Sequence, residues 1–220
     1  IVKSISACCD PHTFAIIADE SAIEDNYIDW MASDCWCYDN YYAVRSNGSV
    51  NTRSSIKNNN INFQTNGLLG SSVITGNYAD IENNYISGSN QDYSPTYAIN
   101  DGDYNIIRNN TIVGANSGIE VGDYNVIDSN TIDVTNWGIY ANNANGTHTI
   151  TNNYINKTGG DKLLYVANAD SVIVTNNTFL STGGDGFYFS DTYVDVRYNL
   201  LTTPGRGIHC ENQVAGEIGN

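Results

Sequence analysis

Apolar and polar positions along the chain repeat in a short fixed unit. An apolar anchor is followed three residues later by Asn and five residues later by a second apolar residue. The anchors are Ile23, Ile56, Ile81, Ile107, Ile127, Ile150, Val174 and Val196. The asparagines are Asn26, Asn59, Asn84, Asn110, Asn130, Asn153, Asn177 and Asn199, and the second apolar set is Ile28, Ile61, Ile86, Ile112, Ile132, Ile155, Phe179 and Leu201. Successive anchors lie 33, 25, 26, 20, 23, 24 and 22 residues apart. A constant motif with variable spacing is a conserved core unit joined by loops of different length. Between anchors sits another apolar series, often preceded by Gly: Ile99, Ile119, Ile139, Leu164, Phe187 and Ile208. Four residues after each comes Asp103, Asp123, Asn143, Asn168, Asp191 or Asn212. Each unit reads strand, Asp/Asn turn, strand, Asn turn, strand, variable loop, with the two-residue alternation of strands and no helical period.

A unit of about 22 residues cannot bury its own apolar face, but stacked units can, at about 4.8 Å per rung, with each strand bonded to its copies above and below. The expected fold is all-β: a parallel β-helix of about 8–9 rungs with three short strands per rung. The Asn column is expected to occupy the left-handed region of one turn, which Asn tolerates. Its amides are expected to bond rung to rung as a ladder. Residues 1–220 read as one solenoid domain, with 1–15 a less regular first rung. Counting back from Ile23 puts Ile1 in the anchor column, and counting forward from Val196 puts Ile218 there. The chain thus reads as a segment of a longer solenoid, its ends capped by further rungs or by partner copies.

The motif I-x-x-N-x-I, with its Asn column and a following Gly-Ile strand, resembles the right-handed parallel β-helix repeats of the pectate-lyase-like superfamily, over roughly 16–220. The superfamily includes polysaccharide lyases, glycoside hydrolases, phage tailspikes and cell-surface proteins, so the resemblance implies carbohydrate work or surface architecture without choosing between them. It also implies that the ladder Asn lies between the second and third strands and that substrate clefts lie on the Gly-Ile face. The outward residues of that face are Asn100, Glu120, Tyr140, Tyr165, Tyr188 and His209. Tyr140, Tyr165, Tyr188 and His209, with Trp137 and Tyr97 from adjoining loops, are the expected carbohydrate contacts, since aromatic rings pack on sugars and hydroxyls bond them. An aromatic ladder that only stabilises the sheet is the competing reading. Glycosidase carboxylates stand about 5–9.5 Å apart. Glu120 with Asp101 or Asp123 is the first candidate pair, and Asp185 with Asp191 the second. The superfamily's lyase and polygalacturonase signatures are absent, and no Arg or Lys is expected to cluster on this face.

Composition narrows the partners. Nine basic residues against 24 acidic ones give a net charge of −15, which excludes a phosphate-binding surface for nucleic acid. No apolar run approaches the roughly 20 residues of a membrane span. The expected partner is therefore polysaccharide or neighbouring copies of the same chain, at an extracellular, cell-surface or virion-surface location. No cofactor is required. Asp103 and Asp123 repeat in matching Gly-Asp-Tyr-Asn segments, and Ca²⁺ held with Asp101 is one option, splayed solvated carboxylates the other. Cys9 and Cys37 lie 28 residues apart, as do Ile16 and Val44. Disulfides joining Cys8 and Cys9 to Cys35 and Cys37 are expected, with a zinc site including His12 as the alternative. Cys210 falls at an inward position and is expected in the core. Recognition of polysaccharide, with or without cleavage, is one functional reading. A non-catalytic rigid rod is the other.

Overall fold

The computed structural model describes residues 2–6, 14–32, 42–65, 72–90, 97–100, 102–142 and 144–219. Every strand pairing is parallel. One sheet contains nine strands, the third strand of each rung. The first and second strands form a sixteen-stranded sheet, because Asp185–Arg197 runs through both positions without a break and joins the two columns. A typical rung is Ser117–Val121, Val126–Asp128 and Thr131–Val134.

The apolar columns are in register throughout. Ile23 pairs with Ile56, Ile56 with Ile81, and so on through Ile107, Ile127, Ile150, Val174 and Val196 to Ile218. The Gly-Ile column runs from Ile16 through Val44, Ile74, Ile99, Ile119, Ile139, Leu164 and Phe187 to Ile208. All anchors from Ile23 to Val196 are buried, and each contributes about 1.5–3 kcal/mol by leaving water. The backward count fails, however. Val2 pairs with Ile28, so Val2–Ser6 is a third strand and the anchor column does not reach Ile1. Cys210 is also corrected. It pairs with buried Phe189, as its inward position requires, but it is exposed, since Ile208–Gly219 is the last strand and no described residue covers it.

The ladder does more than the pattern suggested. Asn84 donates its backbone N–H and its Nδ2 to Asn110 Oδ1, at 3.0 and 2.9 Å, and Nδ2 also donates to Ile56 O, at 2.8 Å. The same three bonds recur at Asn59, Asn110, Asn130, Asn153 and Asn177. Each amide therefore touches the rung on either side. Asn59 through Asn177 are buried, whereas Asn26 and Asn199 at the ends are partly exposed. The backbone assignment differs from expectation. The left-handed residue is the one before each ladder Asn: Asp25, Asn58, Asn83, Asn109, Ser129, Asn152, Asn176 and Tyr198. That residue makes the turn, which leaves the ladder Asn free to point inward.

A second ladder occupies the turn between the first and second strands. Asn105 Oδ1 accepts from Ala79 N–H, and Asn125 Oδ1 from Asn105 N–H, both at 2.8 Å. His148 continues the column: Nδ1 accepts from Asn125 N–H and Nε2 donates to Ala144 O. In this turn the left-handed residue is Asn168, Asp191 or Asn212 in the later rungs, but Tyr78, Tyr104 or Tyr124 in the earlier ones. Asn143 lies outside the described residues. The three tyrosine rings stack at 4.8 and 4.9 Å.

Two outcomes follow. Asn130→Ala strands the buried Asn110 N–H and Ile107 carbonyl, and at about 1–3 kcal/mol per buried unpaired group it costs about 2–6 kcal/mol in urea unfolding. Asn26→Ala, at the partly exposed end, costs about 1 kcal/mol. Equal losses would mean that the ladder does not carry the stack. The second outcome concerns pH. Burial pushes the His148 pKa down, so the unfolded chain takes up a proton near its ordinary value of about 6.5 while the folded chain does not. The unfolded state then binds more protons, and stability falls as pH falls through that range. His148→Asn retains an acceptor for Asn125 N–H, and the loss in urea midpoint from pH 7 to pH 5 shrinks relative to the parent. An unchanged loss contradicts the buried neutral imidazole.

Candidate functional site

The first strands set two columns beside one another. One carries Glu120, Tyr140, Tyr165, Tyr188 and His209, each paired with the next. The other lies two residues before the inward anchor and includes Tyr97, Ser117, Trp137, Lys162, Asp185 and Arg206, with Tyr97 opposite Ser117 and Lys162 opposite Asp185. Strict alternation would turn this second column inward, and Tyr97 and Ser117 are indeed buried. In later rungs the residue before the anchor is buried as well, as at Gly138 and Leu163, so the alternation breaks and Trp137, Lys162 and Asp185 stay partly exposed. The glycines fit that tight inward place: a Cβ at Gly118, Gly138 or Gly186 would run into the next rung's carbonyl and into Ile132, Ile155 or Leu201. All the expected carbohydrate contacts are brought together here.

The tyrosines form one stack. Tyr140 and Tyr165 lie 4.8 Å apart with a 15° interplanar angle, Tyr165 and Tyr188 4.7 Å apart at 3°. These separations match the rung spacing of about 4.8 Å. The ring faces are therefore spent on one another, and the stack turns edges and hydroxyls outward. Trp137 stands edge-on to Tyr140 and Tyr165, at 71° and 86°, so its plane lies along the solenoid axis. Tyr97 is expected from the sequence in an adjoining loop. It instead opens the strand Tyr97–Asn100 and is buried, tilted against Tyr140 at 6.2 Å. Burial, and then the charge of Glu120, pushes the Tyr97 hydroxyl far above its ordinary value.

Basic residues do reach this face, contrary to expectation. Lys162 Nζ lies 5.3 Å from the ring centres of Trp137 and Tyr188 and 5.8 Å from that of Tyr165, within cation–π range. Arg206 contacts His209 Nδ1 at 3.0 Å. By contrast Arg53, Lys57, Arg108 and Arg197 are neutralised on the second-strand face by Asp80, Glu82 and Asp195. At the upper end of the stack, Tyr188 donates its hydroxyl to Glu211 at 2.6 Å, which raises the Tyr188 pKa. His209 Nε2 lies 3.4 Å from the same carboxylate. Glu211 and Lys162 had no signal in the repeat pattern, because neither occupies a repeated chemistry.

Among the described residues the candidate carboxylates take different places in the rung. Asp185 opens the run Asp185–Arg197, whereas Asp191 lies at its midpoint, in the left-handed turn between the first and second strands. Asp185 Oδ1 accepts Arg206 N–H at 2.9 Å. Asp191 is held by Ser190 and Asn212, which lower its pKa. Glu120 faces the tyrosine stack, whereas Asp123 sits in the turn and accepts Asn145 N–H at 2.6 Å. Asp101 lies outside the described residues. Asp103 Oδ1 accepts Asp123 N–H at 2.7 Å, so the Gly-Asp-Tyr-Asn repeat carries another rung-to-rung ladder. Among the described residues, no group of three or more His, Cys, Asp and Glu side chains is arranged to hold a metal. Cys8, Cys9, His12, Cys35 and Cys37 lie outside the described residues. Among the described residues no helix is long and apolar enough to cross a membrane.

Residues 14–179 match the family model described as the right handed beta helix region. The chain therefore belongs to the right-handed β-helix family. No curated protein and no solved structure matches it.

Tyr165→Ala removes three ring contacts, with Tyr140, Tyr188 and Trp137, each worth about 0.5–1.5 kcal/mol, and lowers stability by about 1.5–4.5 kcal/mol. Tyr165→Phe keeps the stack and stays near parental stability in the same urea titration. If both variants lose the same amount, the hydroxyl rather than the stack matters there.

Proposed function

We propose that the first-strand face from Tyr97 to Glu211 is a polysaccharide-recognition surface, displayed by an extracellular or surface-borne solenoid. The observation that carries this reading is the convergence of two columns, with Trp137, the tyrosine stack, Lys162, Arg206 and three carboxylates side by side in a strip on the first-strand face. Sugars are recognised by polar groups set beside aromatic surface. Here the stack supplies the hydroxyl row of Tyr140 and Tyr165 at about 4.8 Å intervals. Trp137 supplies the ring lying along the axis. The family fold supports a carbohydrate-related or a structural role and does not itself select cleavage. Glu120, Asp185 and Glu211 are the carboxylates on the strip, and hydrolysis at this face would be read through Glu120→Gln.

A second reading has its own support. The buried ladders run from rung to rung through the described residues, and a solenoid bonded in this way is a stiff rod. In that reading the aromatic strip packs against a neighbouring copy of the chain.

A panel of neutral and acidic polysaccharides, with reducing-end and unsaturated-product assays, separates the two. Recognition predicts that at least one polysaccharide binds and that Trp137→Ala weakens it tenfold or more, about 1.4 kcal/mol, while the variant stays folded under the assay conditions. Absence of binding and of product across the panel, with sedimentation showing self-association lost in Trp137→Ala, replaces recognition by the rod.

A further inference from the structure

Lys157 has no solvent exposure, although its charged neighbours Asp161, Lys162 and Asp185 include two residues of the strip. It occupies an inward position of the third strand, in the column of Val134 and Ser181. Its ammonium makes three hydrogen bonds, all to main-chain carbonyls: Gly159 O at 2.6 Å, Asp161 O at 2.7 Å and Gly183 O at 2.6 Å. Gly159 and Asp161 belong to the loop of one rung and Gly183 to the loop of the next.

The two loops share a sequence. Thr-Gly-Gly-Asp occurs at 158–161 and again at 182–185. The glycines permit close contact: a side chain at Gly184, which has φ 79°, would run into the carbonyls of Gly160 and Asp161. Ser181, in the column of Lys157, donates its hydroxyl to the same Gly183 carbonyl. Three carbonyl oxygens thus converge from two loops, and their dipoles repel unless a cation stands among them. Burial pulls the Lys157 pKa down to about 8, with Asp161 and Asp185 opposing the shift and Lys162 adding to it. The side chain is therefore charged at neutral pH. The loops lead directly into Lys162 and Asp185, the paired residues that flank the tyrosine stack.

We infer that Lys157 is a tethered cation in a carbonyl cage, and that it acts as a positioning residue for the aromatic strip by clamping the 158–161 and 182–185 loops together. The cage is a site for a primary ammonium, supplied by the chain itself. Removing the ammonium lets the two loops part and carries Lys162 away from Trp137 and Tyr188. The cage stands independently of any sugar. Only its consequence for binding rests on the recognition reading.

The experiment uses the whole chain labelled with 5-fluorotryptophan, the Trp137 resonance being assigned through Trp137→Phe. Lys157→Ala is expected to lower the melting temperature and to shift or broaden the Trp137 ¹⁹F signal while the Trp30 signal stays in place. Ammonium or ethylammonium chloride restores both properties, because an ion that binds only the folded state stabilises it. Tetramethylammonium chloride at equal ionic strength, which has no N–H to donate, does not. Lys157→Met keeps the stem without the charge and carries the test if the Ala variant does not fold. It too is expected to displace the Trp137 signal. A Met variant with parental melting and an unmoved Trp137 signal, or equal rescue by tetramethylammonium, overturns the cage. With a polysaccharide that binds the parent, Lys157→Met weakens binding tenfold or more. If no polysaccharide binds the parent, recognition fails and the fluorine signal alone decides the role of Lys157.

Discussion

The fold depends on a buried side-chain amide that must satisfy the rungs on either side of it at once. The Oδ1 of each interior ladder Asn accepts the backbone N–H and the amide of the preceding ladder Asn. Its Nδ2 donates forward to the next Asn and back to the anchor carbonyl of the preceding rung. A longer, shorter or ionised side chain breaks at least one of these bonds, and buried polar groups left unpaired are costly. Spacing between repeats varies from 20 to 33 residues, yet every anchor pairs with the next anchor. Loop length is absorbed outside the ladder, at the small entropic cost that loops carry.

The same spacing governs the exterior. Side chains in one column stand one rung apart, which suits flat rings face to face and charges of opposite sign. Tyr140, Tyr165 and Tyr188 stack on the first-strand face, and Tyr78, Tyr104 and Tyr124 stack at the first turn. On the second-strand face Glu82 lies between Lys57, at 3.5 Å, and Arg108, at 2.6 Å. The regularity that aligns the tyrosines also uses up their ring faces. Contact with a sugar then falls to hydroxyls, ring edges and the crossed plane of Trp137, a different surface from an array of open platforms.

The columns Ile23 to Val196 and Asn26 to Asn199 were legible because identical residues return at fixed offsets. The grouping of Tyr140, Tyr165, Tyr188 and His209 followed from the same repeat, while the choice of the Gly-Ile face came from the resemblance to pectate-lyase-like repeats. The left-handed residue was misplaced by one position because Asn occupies both places in several turns, as at Asn58 and Asn59. The ladder of Asn105, Asn125 and His148 was hidden by its change of chemistry from rung to rung. Lys157 carries no signal in the repeat pattern, because a single inward lysine is recognisable only when the two Thr-Gly-Gly-Asp loops are known to abut. Asp185 and Asp191 read as a pair because both are acidic and six residues apart, whereas one opens the first strand and the other makes the turn after it. Cys210 was assigned the right direction but the wrong environment, since burial depends on a covering rung as well as on inward alternation.

Hydrogen exchange of the asparagine side-chain amides tests the ladder most directly, because it observes the bonds themselves. The Nδ2 protons of Asn84, Asn110, Asn130 and Asn153 should exchange only through global unfolding, with the free energy of the most protected backbone amides, while those of Asn26 exchange much faster. Exchange of all these side-chain amides at the rate of solvated asparagine would show that the column is a row of adjacent residues and not the bonded spine of the solenoid.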